Sequence, residues 1–176
     1  MKFPVNSELS HLKNKLFLSN FDNFLENANN FIYISFFDHW LSREEIESDK
    51  MATYFLSENT DKKFYKLFYN FEQKIIDFLF GIYDKGHVFG FFPNNSKKDS
   101  PLFILETKGD LEVLATVSLR TEKEVCFYSV FYEALIYTNE DLTWKIIFLN
   151  PKLRKLLESN INKTKFNTLI LNRGHF

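Results

Sequence analysis

The feature that most constrains the fold of this 176-residue chain is a change of hydrophobic period near Gly86. Before that point, residues 61–83 keep a single apolar stripe at helical spacing, with lysines and amides on much of the other side. The stripe consists of Phe64, Phe68, Phe71, Ile75, Phe78, Leu79 and Ile82. After Gly86, apolar residues recur at every second position, which is typical of strands. A long amphipathic helix followed by period-two segments predicts an α+β domain.

Further strands and helices are predicted on both sides of this helix. The expected strands are 31–37, 87–92, 102–106, 111–120, 124–137 and 143–149, with the fifth long enough to need a bulge or bend. Thr107 to Asp110, with Gly109, is expected to be the turn of a β-hairpin. Helices are expected within the first thirty residues, over about 43–55 and from Pro151 to Leu157. The predicted fold is α+β, with N-terminal helices packed on a mostly antiparallel β-meander.

Length and composition favour one globular domain over residues 1–176, since 45% of the residues are hydrophobic and 26% are charged. Residues from about 160 onward are basic and could form either an edge strand at 166–171 or a loose tail. Cys126 is the single cysteine, so no disulfide can form within the chain. Without a signal-peptide pattern or a long apolar run, we expect a cytoplasmic protein with no membrane association.

The charge of the chain is unevenly distributed. Residues 150–176 carry a net charge of +5, so the rest carries −6 of the total of −1. The acidic excess is greatest at residues 38–49, where five carboxylates accompany Arg43 and Trp40. These acidic residues are Asp38, Glu44, Glu45, Glu47 and Asp49. An acidic surface with an aromatic anchor suits a basic protein partner, although the same residues also suit the solvated start of a helix.

Few patterns in the chain point to catalysis. The four histidines are far apart, no pair has zinc-ligand spacing, and no phosphate-binding loop occurs, so no metal or cofactor is expected. An apolar segment ends in Glu106-Thr107-Lys108, which resembles the second half of the PD-(D/E)xK nuclease motif, and Asp84 or Asp99 could supply its upstream acid. Glu72 lies on the preceding helix. An Mg²⁺-dependent nuclease using Glu106 and Lys108 is therefore the alternative to a binding protein.

The C-terminal tail combines Lys163, Lys165 and Arg173 with Phe166 and Phe176, a basic and aromatic composition that is also compatible with nucleic-acid binding. The acidic balance of the remaining chain and a pI of about 6.4 argue against it. We therefore expect no direct contact with nucleic acid.

The late segment Tyr132–Tyr137, followed by the Trp144 strand and a short helix, is the local part of a family resemblance. With the aromatic-rich composition that AT-rich codons encode, the chain resembles bacterial immunity proteins of contact-dependent growth inhibition and other polymorphic toxin systems. The resemblance implies a non-catalytic inhibitor that binds one cognate toxin, often a nuclease, and occludes its active site. An inhibitor of another host system, encoded by a phage or plasmid, would have the same sequence character.

Overall fold

The structure is a computed structural model that describes residues 21–35, 37–40, 62–93, 102–121, 123–138, 143–164 and 166–169. Its helices are α1 (Phe21–Asn27), α2 (Lys62–Tyr83), α3 (Lys108–Arg120) and α4 (Arg154–Thr164), and a 3₁₀ turn (Pro151–Leu153) precedes α4. Its strands are β1 (Phe31–Ser35), β2 (Val88–Phe91), β3 (Leu102–Leu105), β4 (Cys126–Ser129), β5 (Ala134–Tyr137), β6 (Thr143–Phe148) and β7 (Asn167–Leu169). The α+β class is confirmed.

Within the described residues, all seven strands form one antiparallel sheet in the order β3-β2-β4-β5-β6-β1-β7. Strands β4, β5 and β6 follow one another as a meander, whereas β1 and β7 join from distant parts of the chain. The edge strand predicted near the C terminus is present, since Asn167 to Leu169 pairs with β1.

Helices α2, α3 and α4 cover one face of the sheet. Their buried side chains pack with the strand residues that point to that face, including Ile34, Phe127 and Trp144. The stripe predicted over residues 61–83 is this core contact, since Phe78, Leu79 and Ile82 are fully buried. The opposite face forms a second apolar cluster with α1, where Phe21 meets the ring of Phe91 edge-on at 5.5 Å. Both faces of the sheet are thus apolar, which explains the nearly continuous hydrophobic strands.

The hairpin predicted around Gly109 is wrong, because residues 108–120 form helix α3. Thr107 is its N-cap: the Thr107 hydroxyl accepts from the Asp110 amide at 3.1 Å, and the Asp110 carboxylate accepts from the Thr107 amide at 3.1 Å. This reciprocal capping box starts a helix at the point where we expected a turn. The side chains that α3 buries recur at helical spacing, namely Leu111, Leu114, Ala115 and Leu119.

Gly90 of β2 lets α3 approach the sheet. A Cβ atom at residue 90 would lie 2.5 Å from Cδ1 of Leu114, closer than packed carbon atoms come. The helix therefore rests on bare strand backbone at this point. Register pairs Gly90 with Phe103 of β3.

Residues 124–137 were predicted to form one strand with a bulge or bend. The interruption is instead a full reversal of the chain, since the turn Val130–Glu133 divides the segment into the antiparallel strands β4 and β5. Glu133 adopts a left-handed conformation with φ of 44°, which reverses the chain without a glycine. The helix predicted from Pro151 is confirmed at its start, where Asn150 caps the 3₁₀ turn, but α4 extends to Thr164. Of the helical region predicted within the first thirty residues, α1 is described, whereas residues 1–20 and the helix predicted over 43–55 lie outside the described residues.

Candidate functional site

The predicted binding segment begins where β1 ends. The Ser35 hydroxyl accepts from the Phe37 amide at 3.1 Å, a local contact that turns the chain out of the sheet. Asp38 and His39 are then exposed and Trp40 is partly buried. Of the six residues predicted to bind a partner, Asp38 and Trp40 are described, whereas Glu44, Glu45, Glu47 and Asp49 lie outside the described residues.

Trp40 is held against the sheet by an aromatic neighbour. Its ring meets the Tyr33 ring edge-on, with the centroids 4.9 Å apart, and Tyr33 in turn meets Phe31 edge-on at 5.4 Å. Edge-to-face pairs of this kind contribute beyond the area that they bury. The aromatic row Phe31–Tyr33–Trp40 thus fixes the indole beside the exposed Asp38–His39 pair.

Lys145 of β6 supports the same row from the neighbouring strand. Register pairs Lys145 with Tyr33, and its ammonium group lies 4.5 Å from the centroid of Phe31 and 6.0 Å from that of Tyr33. The ammonium donates to the Leu25 carbonyl in the last turn of α1, at 2.5 Å. Burial lowers the pKa of Lys145, because the charged form loses solvation there. Lys145 therefore connects α1 to the strand that carries the Trp40 contact.

The carboxylate of Asp38 is charged and accessible. His39 Nδ1 lies 2.7 Å from an Asp38 carboxylate oxygen, and both side chains are exposed. The hydrogen bond from His39 lowers the pKa of Asp38, and the backbone amide of Asp38 lowers it further. The carboxylate keeps its negative charge over the whole physiological pH range, as an electrostatic contact with a basic partner would require.

The residues of the alternative nuclease prediction have structural partners. Glu106 follows β3, and its carbonyl accepts from the Tyr83 hydroxyl at 2.5 Å. Lys108 pairs with Asp84 at 2.8 Å, at the first turn of α3. Glu72 is buried and pairs with Arg120. The ion pair with Asp84 places Lys108 at the start of α3, where the capping box of Thr107 and Asp110 begins the helix, while Asp99 lies outside the described residues.

No group of three or more His, Cys, Asp or Glu side chains among the described residues is arranged to hold a metal ion. No helix in the described ranges is long and apolar enough to cross a membrane.

Comparison with known proteins identified no family model, curated protein or solved structure that matches this chain.

Sequence reasoning did not find the roles of Tyr33 and Lys145. The sequence predicts only that both residues lie in strands, and their approach depends on the antiparallel register between β1 and β6. The usable signal was the alternation Phe31, Tyr33, Ser35 along β1, which marks one face of the strand. The alternation alone does not show which strand pairs with β1, so it could not identify Lys145, more than a hundred residues away, as the neighbour of Tyr33.

Proposed function

We propose that this chain is a non-catalytic immunity protein that binds a cognate toxin domain, a basic nuclease being the best match, and occludes its active site. The observation that carries the proposal is the arrangement after β1. An exposed, charged Asp38 lies next to Trp40, whose ring is anchored on Tyr33. Aromatic anchors beside charged groups are typical of the residues that dominate protein–protein affinity.

The charge distribution supports the same partner class. Residues 1–149 carry a net charge of −6, with five carboxylates within 38–49. A basic nuclease would be attracted to this segment, which raises the association rate, while burial of the Trp40 ring would slow dissociation. The proposal includes a cytoplasmic location, where such an inhibitor would meet its toxin.

The decisive experiment is a tagged pull-down from the native host, with the neighbouring reading frames co-expressed and the bound proteins identified by mass. One stoichiometric toxin-like partner is expected, and its binding is then measured with purified proteins. Absence of a partner, together with Mg²⁺-dependent nucleic-acid cleavage that Glu106→Ala abolishes, would replace this proposal with the nuclease.

The binding segment is tested with matched variants in the reconstituted complex. Reversing Glu44, Glu45 and Glu47 to Lys should slow association at least tenfold at low salt and reduce its salt dependence. Trp40→Ala should instead raise the dissociation rate by about tenfold or more. The controls are Glu112→Lys on the exposed side of α3 and Asp77→Lys on α2. Each changes the net charge by the same amount as one reversal in the 38–49 segment, but at an exposed position outside it. Equal effects of the control and segment variants would show that this segment is not the interface.

A further inference from the structure

Cys126 lies on the second face of the sheet, beneath the first residue of α1. It is fully buried on β4, where register pairs it with Phe91 of β2 on one side and with Tyr137 of β5 on the other. Directly paired residues of antiparallel strands point to the same face, so these two rings flank the thiol. The Phe21 ring contacts both, with its centroid 5.5 Å from that of Phe91 and 6.2 Å from that of Tyr137. Phe21 therefore lies over Cys126.

Helix α1 rests on this face through few side chains. Phe21 is 7% exposed, and Phe24 and Leu25 are partly buried against the same apolar cluster. The other described side chains of the helix are exposed, namely Asn23, Glu26 and Asn27. A helix of seven residues is too short to be stable by itself, so α1 depends on its contacts with the sheet.

Lys145 holds the other end of α1. Its ammonium group donates to the Leu25 carbonyl at 2.5 Å and lies 4.5 Å from the centroid of Phe31. Carbonyl groups in the last turn of a helix have no partner within the helix, and a cation there also interacts favourably with the helix dipole. Phe21 thus fixes the N-terminal end of α1 and Lys145 its C-terminal end.

A short connection separates α1 from the sheet. The Asn30 carbonyl accepts from the Phe148 amide at 2.8 Å, so the chain is joined to β6 from Asn30 onward. Ala28 and Asn29 belong to neither the helix nor a strand. Rotation of the backbone at these two residues would move α1 without breaking a hydrogen bond between strands, which is the property of a hinge.

We propose that α1 is a lid, which opens as a unit about Ala28 and Asn29 and uncovers Cys126 while the sheet and the other helices stay folded, and which Phe21 and Lys145 hold closed. Opening breaks the contacts of one short helix, whereas global unfolding also breaks the larger apolar cluster under α2, α3 and α4. Opening should therefore require less free energy than unfolding. Loss of the Lys145 charge shifts the population towards the open form. The inference does not depend on the function proposed above.

Thiol labelling tests the lid, because Cys126 is the single cysteine of the chain. The folded full-length chain is mixed with excess dithionitrobenzoate at increasing urea concentrations. The labelling rate, divided by that of the unfolded chain, gives the opening constant. In dilute urea the free energy of opening should be smaller than that of global unfolding and nearly independent of urea, because opening exposes little surface. Labelling that follows global unfolding at every urea concentration, in free energy and in slope, would overturn the proposal.

Variants identify the contacts that hold the lid. Phe21→Ala should raise the opening constant in dilute urea at least tenfold, and the milder Phe21→Leu should give a smaller increase. Lys145→Met should raise it about tenfold, since the Leu25 carbonyl loses a charged donor. Strand β5 separates Lys145 from Cys126, so faster labelling of this variant cannot come from a hole directly over the thiol.

Phe166→Ala is the matched control. Phe166 is as buried as Phe21, at 6% exposed, but its ring packs on Phe71 and Phe78 under the opposite face of the sheet. This variant should lower the free energy of global unfolding and leave the opening constant in dilute urea unchanged. An equal increase in the control, or an unchanged opening constant in Phe21→Ala or Lys145→Met, would overturn the proposal.

Discussion

Arg120 and Glu72 form a two-point ion pair between α3 and α2. Arg120 Nε donates to one carboxylate oxygen of Glu72 at 2.7 Å, and Nη2 donates to the other at 2.6 Å. Glu72 is only 2% exposed, whereas Arg120 is 37% exposed and reaches solvent. The planar guanidinium matches both carboxylate oxygens, so this contact fixes the C-terminal end of α3 against the middle of α2.

Removing one partner of this pair should destabilise the fold strongly. Arg120→Met leaves the Glu72 carboxylate buried without a counter-charge and should lower the free energy of unfolding by about 3 kcal/mol. The double variant Glu72→Met with Arg120→Met should recover most of that loss, because two apolar side chains can pack there. Urea unfolding measures both values. A double variant no more stable than Arg120→Met would contradict this explanation.

Gly90 and Leu114 should be energetically coupled. In the wild-type background, Gly90→Ala should lower the free energy of unfolding by about 1–2 kcal/mol, since the new methyl group collides with Cδ1 of Leu114. In a Leu114→Ala background the same change should have little effect, because the space is already vacant. Urea unfolding of the four proteins in this double-mutant cycle gives the coupling. Equal effects in both backgrounds would show that α3 does not rest on Gly90.

Gly109→Ala distinguishes the helix from the hairpin that the sequence suggested. In the first turn of α3, the nearest atom to an added Cβ is the Thr107 hydroxyl oxygen at 3.6 Å, and the residue does not have a positive φ. Alanine should therefore stabilise the chain by about 0.5–1 kcal/mol. Thr107→Ala, which removes the N-cap, should destabilise it by about 1 kcal/mol. Thermal and urea unfolding measure the stability change of each variant. Destabilisation by Gly109→Ala would indicate a turn that requires glycine at this position and would contradict the helix.

Lys145 should make stability depend on pH in the alkaline range. Its pKa is lowered in the folded chain, so between the folded and unfolded pKa values the unfolded chain binds more protons. The free energy of unfolding therefore gains a contribution as pH rises through that window. The difference in stability between wild type and Lys145→Met should increase from neutral pH towards pH about 10, where lysines titrate. Urea unfolding of both proteins across this range measures the difference, and a constant difference would contradict the assigned direction.

The elements with a strong and unbroken period were predictable. Helix α2 (Lys62–Tyr83) lies within the range predicted for it, 61–83, and the strands β1, β2, β3 and β6 lie within their predicted ranges. Helix α2 buries a continuous apolar stripe, and the strands bury runs of apolar residues. In each of these segments the local hydrophobic pattern and the tertiary packing therefore favour the same conformation.

Residues 107–137 were predicted poorly because two local signals competed there. Leu111 to Arg120 alternates apolar and polar residues, yet Leu111, Leu114 and Leu119 also suit a helix, and the Thr107–Asp110 capping box selects it. At Glu133, the chain reverses through a left-handed residue that carries a side chain. Sequence patterns normally place glycine or asparagine at such a position, so this turn had no recognisable signal.

The candidate site was predictable only in part. The acidic residues and Trp40 could be identified from charge and composition, and Asp38 and Trp40 lie together at the end of β1. The contacts of Trp40 with Tyr33, and of Lys145 with Phe31 and Leu25, depend on strand register and on the position of α1.

The α+β class, the long helix α2 and the apolar character of the strands can be inferred from the amino-acid sequence, because hydrophobic period is a local property of the chain. The strand order, the pairing of Tyr33 with Lys145 and the exposure of Val130 and Phe131 between β4 and β5 depend instead on the tertiary structure. Those features arise from contacts between residues far apart in sequence, whose free energies are gained only when the whole sheet and its helices assemble.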